Sequence, residues 1–298
     1  MREFRFSLLT IVATFFLLIV GGLVHGTGSS LACPDWPTCY GTFFPEMKGG
    51  VFFEHSHRIV ATLVGVLTIT QAVLIWKTRR GELVAKLAIA AVGLVIFQGV
   101  LGGITVLYQL PTFVSSAHLA TSMIFFSLTI LIAFLLAPPV EDAGLAPTPP
   151  GLKKWVGAVT VFAYLQIVLG AVVRHTHAGL ACIDIPLCNG AIFPEGAPGI
   201  LIVHMTHRLV GVLVAVAVLA LSGLVRARAG GNSVLLRVGG IVLPILVVLQ
   251  VTLGFLSVST SLQLHTVTAH LGGGALLLAT LVSLYLFCRR YEPQSQTA

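Results

Sequence analysis

Charge is what this sequence has least of. Of its 298 residues, 9% are charged and 56% are hydrophobic, whereas a soluble domain carries about a quarter charged residues. So few charges cannot clothe a soluble globule of this length. The mean hydropathy of +1.00 requires long apolar stretches rather than one enclosed core. Acids are scarcer still, 10 against 17 Lys and Arg. That excess does not point to nucleic acid, because the basic residues cluster in the gaps between apolar stretches, where they set orientation in a bilayer. The first apolar segment, residues 6–24, follows Arg2 and Arg5 as a signal peptide would. It lacks a small-residue cleavage site and is long enough to span, so it is expected to be the first helix. The lack of an Arg- and Ser-rich transit peptide favours a prokaryotic plasma membrane.

What is present is a set of spans. A crossing helix needs about 20 mostly apolar residues. Eight stretches qualify: 5–25, 56–76, 85–107, 113–137, 154–174, 201–225, 235–258 and 265–288. Arg2, Arg5, Lys77, Arg79, Arg80, Lys86, Lys153, Lys154, Arg226, Arg228, Arg237, Arg289 and Arg290 make 13 of the 17 basic residues. All fall on one side if the helices alternate. Lys and Arg mark the cytoplasmic side, so both termini are expected inside and the loops 26–54 and 175–200 outside.

The chain also repeats itself. Residues 31–41, LACPDWPTCYG, match residues 180–190, LACIDIPLCNG, and Phe-Pro-Glu follows each at 44–46 and 193–195. His57-Arg58 matches His207-Arg208, Gln98 to Gly102 matches Gln250 to Gly254, and His118 matches His270. The offset stays between 149 and 152 residues. The expected fold is therefore all-α and integral to the membrane, with eight transmembrane helices in two four-helix bundles. An even number of helices per half makes them parallel repeats, related by a pseudo-twofold axis along the membrane normal. The expected organisation is 1–138 for the first half, 139–152 for a Pro-rich cytoplasmic linker, 153–290 for the second half and 291–298 for a cytoplasmic tail.

Each outer loop carries a C-x5-C pair, Cys33 with Cys39 and Cys182 with Cys188. Outside a bacterial membrane such pairs form disulfides. Free or metal-binding thiols are the alternative, although four-cysteine zinc sites use closer spacing. Cys288 sits at the inner end of the last span and is assigned no role.

Four of the ten histidines are repeat-matched: His57, His118, His207 and His270. At 1.5 Å per residue, both members of each pair lie at a similar depth near the outer side. Two imidazoles facing each other across one bundle suit the two axial positions of a heme iron. Polar side chains inside a membrane are functional by default. Copper also accepts imidazoles, and zinc would need Glu54 or His204 to join. Arg58 and Arg208 follow the histidines and would either pair with heme propionates or snorkel to the outer surface. Glycines 99, 102, 103 and 272–274 would leave room for a flat macrocycle or serve helix packing. Glu54 stands three residues before His57, and its counterpart is His204. That asymmetry suggests chemistry in the first half and electron transfer in the second; interfacial solvation of Glu54 is the alternative. His25 and the cluster Arg174, His175 and His177 are expected in loops at the outer rim. His55 and His265 are expected to face away from the ligand positions.

These residues together resemble the heme A synthase family: Thr27, the Cys33-Pro-Asp-Trp-Pro37 and Cys39 loop, Glu54-x-x-His57-Arg58, His118, His204-x-x-His207-Arg208 and His270. The combination is specific and spans nearly the whole chain. The resemblance implies an oxidoreductase that converts heme O to heme A by oxidising one porphyrin methyl group to a formyl group. It implies successive hydroxylations and a geminal diol that loses water, in support of heme-copper oxidase biogenesis. It also implies a heme b cofactor on His207 and His270, substrate heme O near His57 and His118, and Glu54 as the catalytic acid. Arg58, Arg208 and Arg174 become candidate propionate contacts, and Cys33–Cys39 the functional cysteine pair. Expected partners are membrane lipid, an electron donor, and a heme O synthase or cytochrome oxidase assembly partner, with no nucleic acid. The chain departs from the family in having His25 for Arg and Ser30 for Gly, while the second half keeps Arg174 and Gly179.

Two other readings compete. A diheme b-type electron-transfer cytochrome, linked to quinol, explains the four histidines but neither the Glu54/His204 asymmetry nor the duplicated cysteine loops. A transporter with parallel repeats explains the repeat but not histidines gathered near one side.

Overall fold

The computed structural model describes residues 1–138, 148–228 and 234–291. Most of the expected linker 139–152, and all but Tyr291 of the expected tail 291–298, lie outside the described residues. Eight long helices follow one another: α1 (Arg2–Gly26), α2 (Gly49–Arg79), α3 (Leu83–Leu107), α4 (Thr112–Leu136), α5 (Leu152–His175), α6 (Gly199–Arg228), α7 (Val234–Ser259) and α8 (Leu264–Arg290). No strand occurs among the described residues. All eight helices are long and apolar enough to cross a membrane. The chain is an all-α, multi-pass membrane protein.

Hydrocarbon offers the backbone no partners, so each span must satisfy its own N–H and C=O groups as a helix. Hydroxyls follow the same rule by donating one turn back, as Thr14 does to Thr10 O at 2.7 Å and Thr68 to Val64 O at 2.7 Å. Val12, Val66, Ile96, Val161 and Ile245 are exposed. An apolar outer surface of that extent fits lipid rather than water.

The helices run past the spans expected from hydropathy. The largest extension is at α2, which begins at Gly49 rather than at 56 and so brings Glu54 and His55 onto the same regular helix as His57. Polar side chains lower the hydropathy there without interrupting the hydrogen-bond ladder.

The turns repeat as the sequence does. α1 ends with Thr27 N–H on Leu23 O at 2.9 Å, and α5 with Thr176 N–H on Val172 O at 2.9 Å. α3 ends in two left-handed residues, Gln109 and Leu110, and α7 in Ser261 and Leu262. Leu110 N–H then bonds Thr105 O at 2.7 Å, and Leu262 N–H bonds Ser257 O at 2.7 Å.

In the first half α1 packs on α2 and α4, and α3 packs on both as well. The second half repeats these pairings among α5, α6, α7 and α8. Between the halves, α8 packs on α1 and α4, and α4 on α5. Small residues make the α1–α8 seam close. A Cβ on Gly22 would meet Leu271 at 2.9 Å, one on Gly26 would meet Leu264 at 2.4 Å, and one on Gly272 would meet Ile19 at 2.6 Å. Such glycines let helix backbones approach in lipid, where packing rather than water exclusion drives association.

Below the histidines the bundles are filled. Val64, Ile75, Ala88, Phe125 and Ile132 pack in the first half, and Val218, Leu221, Leu243 and Leu281 in the second. Met123, Phe126 and Leu278 fill the space between the halves. The repeat-matched histidines and Glu54 lie above this packing, toward the cysteine-loop end of each bundle.

Candidate functional site

His57 on α2 and His118 on α4 are within electrostatic reach of each other, as are His207 on α6 and His270 on α8. Each imidazole is backed by a glycine on the neighbouring helix. A Cβ on Gly21 would lie 3.2 Å from His57 Cε1, one on Gly102 3.6 Å from His118 Cε1, one on Gly170 3.0 Å from His207 Cε1, and one on Gly254 3.3 Å from His270 Cε1. The glycines repeat at offsets of 149 and 152, close to the 150 and 152 of the histidines they support. The Nδ1 atoms of His57, His118 and His270 are buried without a hydrogen-bond partner. Three orphaned ring nitrogens in apolar surroundings carry a cost unless a ligand or metal orders them. The donor set, two imidazoles per bundle with no acid between them, fits axial ligation of an iron porphyrin.

Of the two roles open to the expected glycines, most take helix packing, while Gly99 has nothing within 4 Å of an added Cβ. Gly102 does back His118, but a Cβ on Gly272 would meet Ile19, and one on Gly273 or Gly274 would meet Gln250 at 2.8 or 2.9 Å. A Cβ on Gly103 would meet the Trp36 indole at 2.8 Å. These four are packing positions, not open surface. Trp36 and Gly103 correspond to Ile185 and Phe255 in the second half, so bulk has moved from helix to loop in the first half.

His207 differs from the other three. Gln166 Nε2 on α5 lies 3.0 Å from His207 Nδ1 and donates to His207 O at 2.9 Å. The matching position in the first half is Leu17. One amide therefore supports an imidazole of the second half, and nothing polar does so in the first. A polar partner on the far ring nitrogen sets tautomer and ligand basicity.

Glu54 is nearly fully buried. Its Oε1 accepts from Arg58 Nη2 at 2.6 Å, and its Oε2 accepts the Cys33 N–H at 2.8 Å. Arg58 also donates to Asp35 O at 2.8 Å, Thr38 O at 2.5 Å and Cys33 O at 3.5 Å. The first cysteine loop is thus clamped to α2 by one arginine, whose charge the acid offsets. In the second half Arg208 donates to Asp184 O and Cys182 O, each at 2.5 Å, and its Nε donates to His204 Nε2 at 3.0 Å. The clamp is repeated, but an imidazole replaces the carboxylate. The neighbourhood of Arg208 therefore keeps a positive charge that Glu54 cancels beside Arg58.

Both cysteine loops carry disulfides, Cys33–Cys39 and Cys182–Cys188. Each loop turns through matched left-handed residues, Tyr40-Gly41 and Asn189-Gly190. Asp35 holds the first turn by accepting from Thr38 Oγ1, Tyr40 N–H and Gly41 N–H. Those bonds, Thr38 first, keep its carboxyl below the ordinary value of 3.8.

Of the histidines expected in rim loops, His177 lies in the turn after α5, whereas His25 and His175 are helical. His25 closes α1, and Arg174 and His175 close α5. His25 and His175 lie against each other with centroids 4.9 Å apart, and Arg174 Nη2 donates to His25 O at 2.6 Å. The two departures from the family pattern meet: His25 Nδ1 and Ser30 Oγ are hydrogen-bonded at 3.1 Å. His55 turns toward the cysteine loop, with Nε2 3.1 Å from Phe43 O.

Comparison with known proteins gives the family. The family model described as Cytochrome oxidase assembly protein, COX15-CtaA, matches residues 4–50 and 45–282. The chain belongs to this family. Its relatives include a heme A synthase of Alkalihalophilus pseudofirmus, 36% identical over 212 residues, covering 70% of this chain and 71% of the relative. A heme A synthase of Halalkalibacterium halodurans is 32% identical over 297 residues, covering 96% of each. One of Bacillus pumilus is 31% identical over 310 residues, covering 99% of this chain and 98% of the relative. Within the COX15-CtaA match lie all four repeat-matched histidines, Glu54 and both disulfides.

Three features of the site escape a reading of the sequence: the Glu54–Arg58 pair, the Gln166–His207 contact, and the glycines at 21, 170 and 254. The glycine signal is present in the repeat, because Gly21 matches Gly170 and Gly102 matches Gly254. Gln166 has no counterpart to align with, so no comparison of the halves points to it.

Proposed function

We infer that the chain is a heme A synthase, a membrane oxidoreductase that converts heme O to heme A. The observation that carries this is the pairing of two imidazole sites with Glu54, the one buried acid among the described residues, in a chain whose relatives bear that name. In this reading the halves are related by a pseudo-twofold axis along the membrane normal, both termini are cytoplasmic and the disulfide loops face outward. The membrane is a prokaryotic plasma membrane.

His207 and His270 hold heme b, which when bound supplies one-electron redox chemistry that side chains lack. Gln166 supports that site by orienting His207. His57 and His118 hold heme O in the first half, backed by Gly21 and Gly102. Glu54 handles protons at the methyl group that becomes the formyl. Each of two successive hydroxylations would take one oxygen atom from dioxygen and two electrons from the external donor, the second oxygen atom leaving as water, and the geminal diol then loses water to give the formyl group. The Trp36 indole packs close against Gly103 of α3 at the loop end of this bundle. Arg174 and Arg208 keep N–H groups for propionates. Arg58 has both terminal nitrogens committed to the loop and to Glu54, so it contributes to a propionate only through Nε. An electron donor completes the reaction, and a heme O synthase supplies its substrate.

The test is conversion. The chain is produced with and without a heme O synthase and its hemes are extracted and separated. Heme A only in the sample supplied with heme O is the expected result. Heme b in both samples with no heme A would instead identify a b-type electron-transfer cytochrome.

A further inference from the structure

Cys33, Cys39 and His55 form a cluster that the proposed reaction does not use. Their ligand atoms, two sulfurs and one ring nitrogen, all lie within 4.8 Å of one another. Both cysteines are fully buried and His55 is 7% exposed. The imidazole is arranged as metal-binding imidazoles are. Its Nε2 sits 3.1 Å from Phe43 O, to which Nε2–H donates, and its Nδ1 is buried without a partner. A histidine that gives its far N–H to a backbone carbonyl has its tautomer set and its other lone pair free for an ion.

The second half lacks this arrangement. The position matching His55 is Met205, which packs with Cys182 and Cys188 in an apolar cluster. Two loops of one design thus differ in the residue behind the sulfurs. If the first disulfide were only a staple, a thioether would fill that space as it does in the second half. A buried imidazole with an unsatisfied nitrogen is a poorer filler.

We propose that Cys33, Cys39 and His55 form a redox-gated binding site for monovalent copper. In the oxidised state the two sulfurs are bonded to each other and the site is closed. A dithiol reductant opens it: the Cys33–Cys39 bond breaks, two thiols form, and the reductant leaves as its own disulfide. Cu⁺ then binds two thiolates and the imidazole and releases two protons. Soft thiolates with one imidazole select Cu⁺, which accepts three ligands. Zinc in closed sites takes four. Glu54, the nearest acid on the same helix, has its two oxygens engaged by Arg58 and the Cys33 N–H and is no fourth ligand.

The experiment uses the full chain in detergent, either oxidised or reduced with a phosphine that is then removed without air. Cu⁺ is titrated against a chromophoric chelator. The reduced protein is expected to bind one equivalent more than the oxidised protein. That equivalent should vanish in Cys33→Ser and weaken at least about tenfold in His55→Ala. Retained heme b serves as the check on folding. Should His55→Ala fail to fold, Met205→His decides, because it builds the same donor set in the second loop. It should add a second equivalent on reduction. Equal copper uptake by reduced and oxidised protein, unchanged affinity in a folded His55→Ala, no gain from Met205→His, or tighter binding of zinc than of copper would each overturn the proposal.

Discussion

The Cys33 N–H donates to Glu54 Oε2 at 2.8 Å, so the single buried acid of the first bundle and the first disulfide loop share a hydrogen bond. His204, in the matching position, instead accepts from Arg208 at 3.0 Å. Glu54→Gln keeps an oxygen for Cys33 and removes the charge. Heme A formation should fall about 100-fold or more, the usual share of a proton-handling group, with heme b content unchanged. Chromatography of extracted hemes measures both. Normal heme A in this variant would remove Glu54 from the reaction.

Gln166 predicts a difference in redox potential between the halves. With His207 bound to iron through Nε2, Nδ1–H needs an acceptor, and the Gln166 amide oxygen is buried and unpartnered. Turning the amide supplies one. Gln166→Leu removes a bond worth about 1 kcal/mol, about 40 mV for one electron. Loss of that donation lowers ligand basicity, so the midpoint potential of heme b should rise. Redox titration followed by optical absorbance measures it. Leu17→Gln, in the first half, should leave that potential in place.

The glycine supports give a steric prediction. Gly170→Val places a branched side chain where even a Cβ would be 3.0 Å from His207 Cε1. Bound heme b should fall about tenfold or more, in line with the loss of a residue that orients a ligand. Gly93→Val is the control, because nothing lies within 4 Å of a Cβ there. The ratio of heme to protein after purification measures the effect.

Asp35 gives the first loop a dependence on acid. Its carboxyl titrates below the ordinary value of 3.8, chiefly through the Thr38 bond. A lowered value means the charged form is favoured when folded. The contribution is therefore complete above 3.8 and lost as pH falls through the lower folded value. Amide exchange at Tyr40 and Gly41 should accelerate below that range, and Asp35→Asn should abolish the pH dependence.

Hydropathy and the 149–152 offset were enough to read the eight helices and the four paired histidines, because burial in lipid and duplication both leave marks along the chain. The start of α2 was not legible in the same way. Glu54, His55 and His57 depress hydropathy over residues that remain helical. The same limit placed His25 and His175 in loops when they close α1 and α5. Contacts between residues far apart in sequence, such as Gln166 with His207 or His25 with Arg174, depend on which helices become neighbours. No local pattern records that.

The account rests most directly on a division of labour between the bundles. Pigment analysis of His57→Ala and His207→Ala, each produced with a heme O synthase, tests it. His207→Ala should lose heme b, whereas His57→Ala should keep heme b and make no heme A. Heme A in His57→Ala, or equal loss of heme b from both variants, would contradict the account.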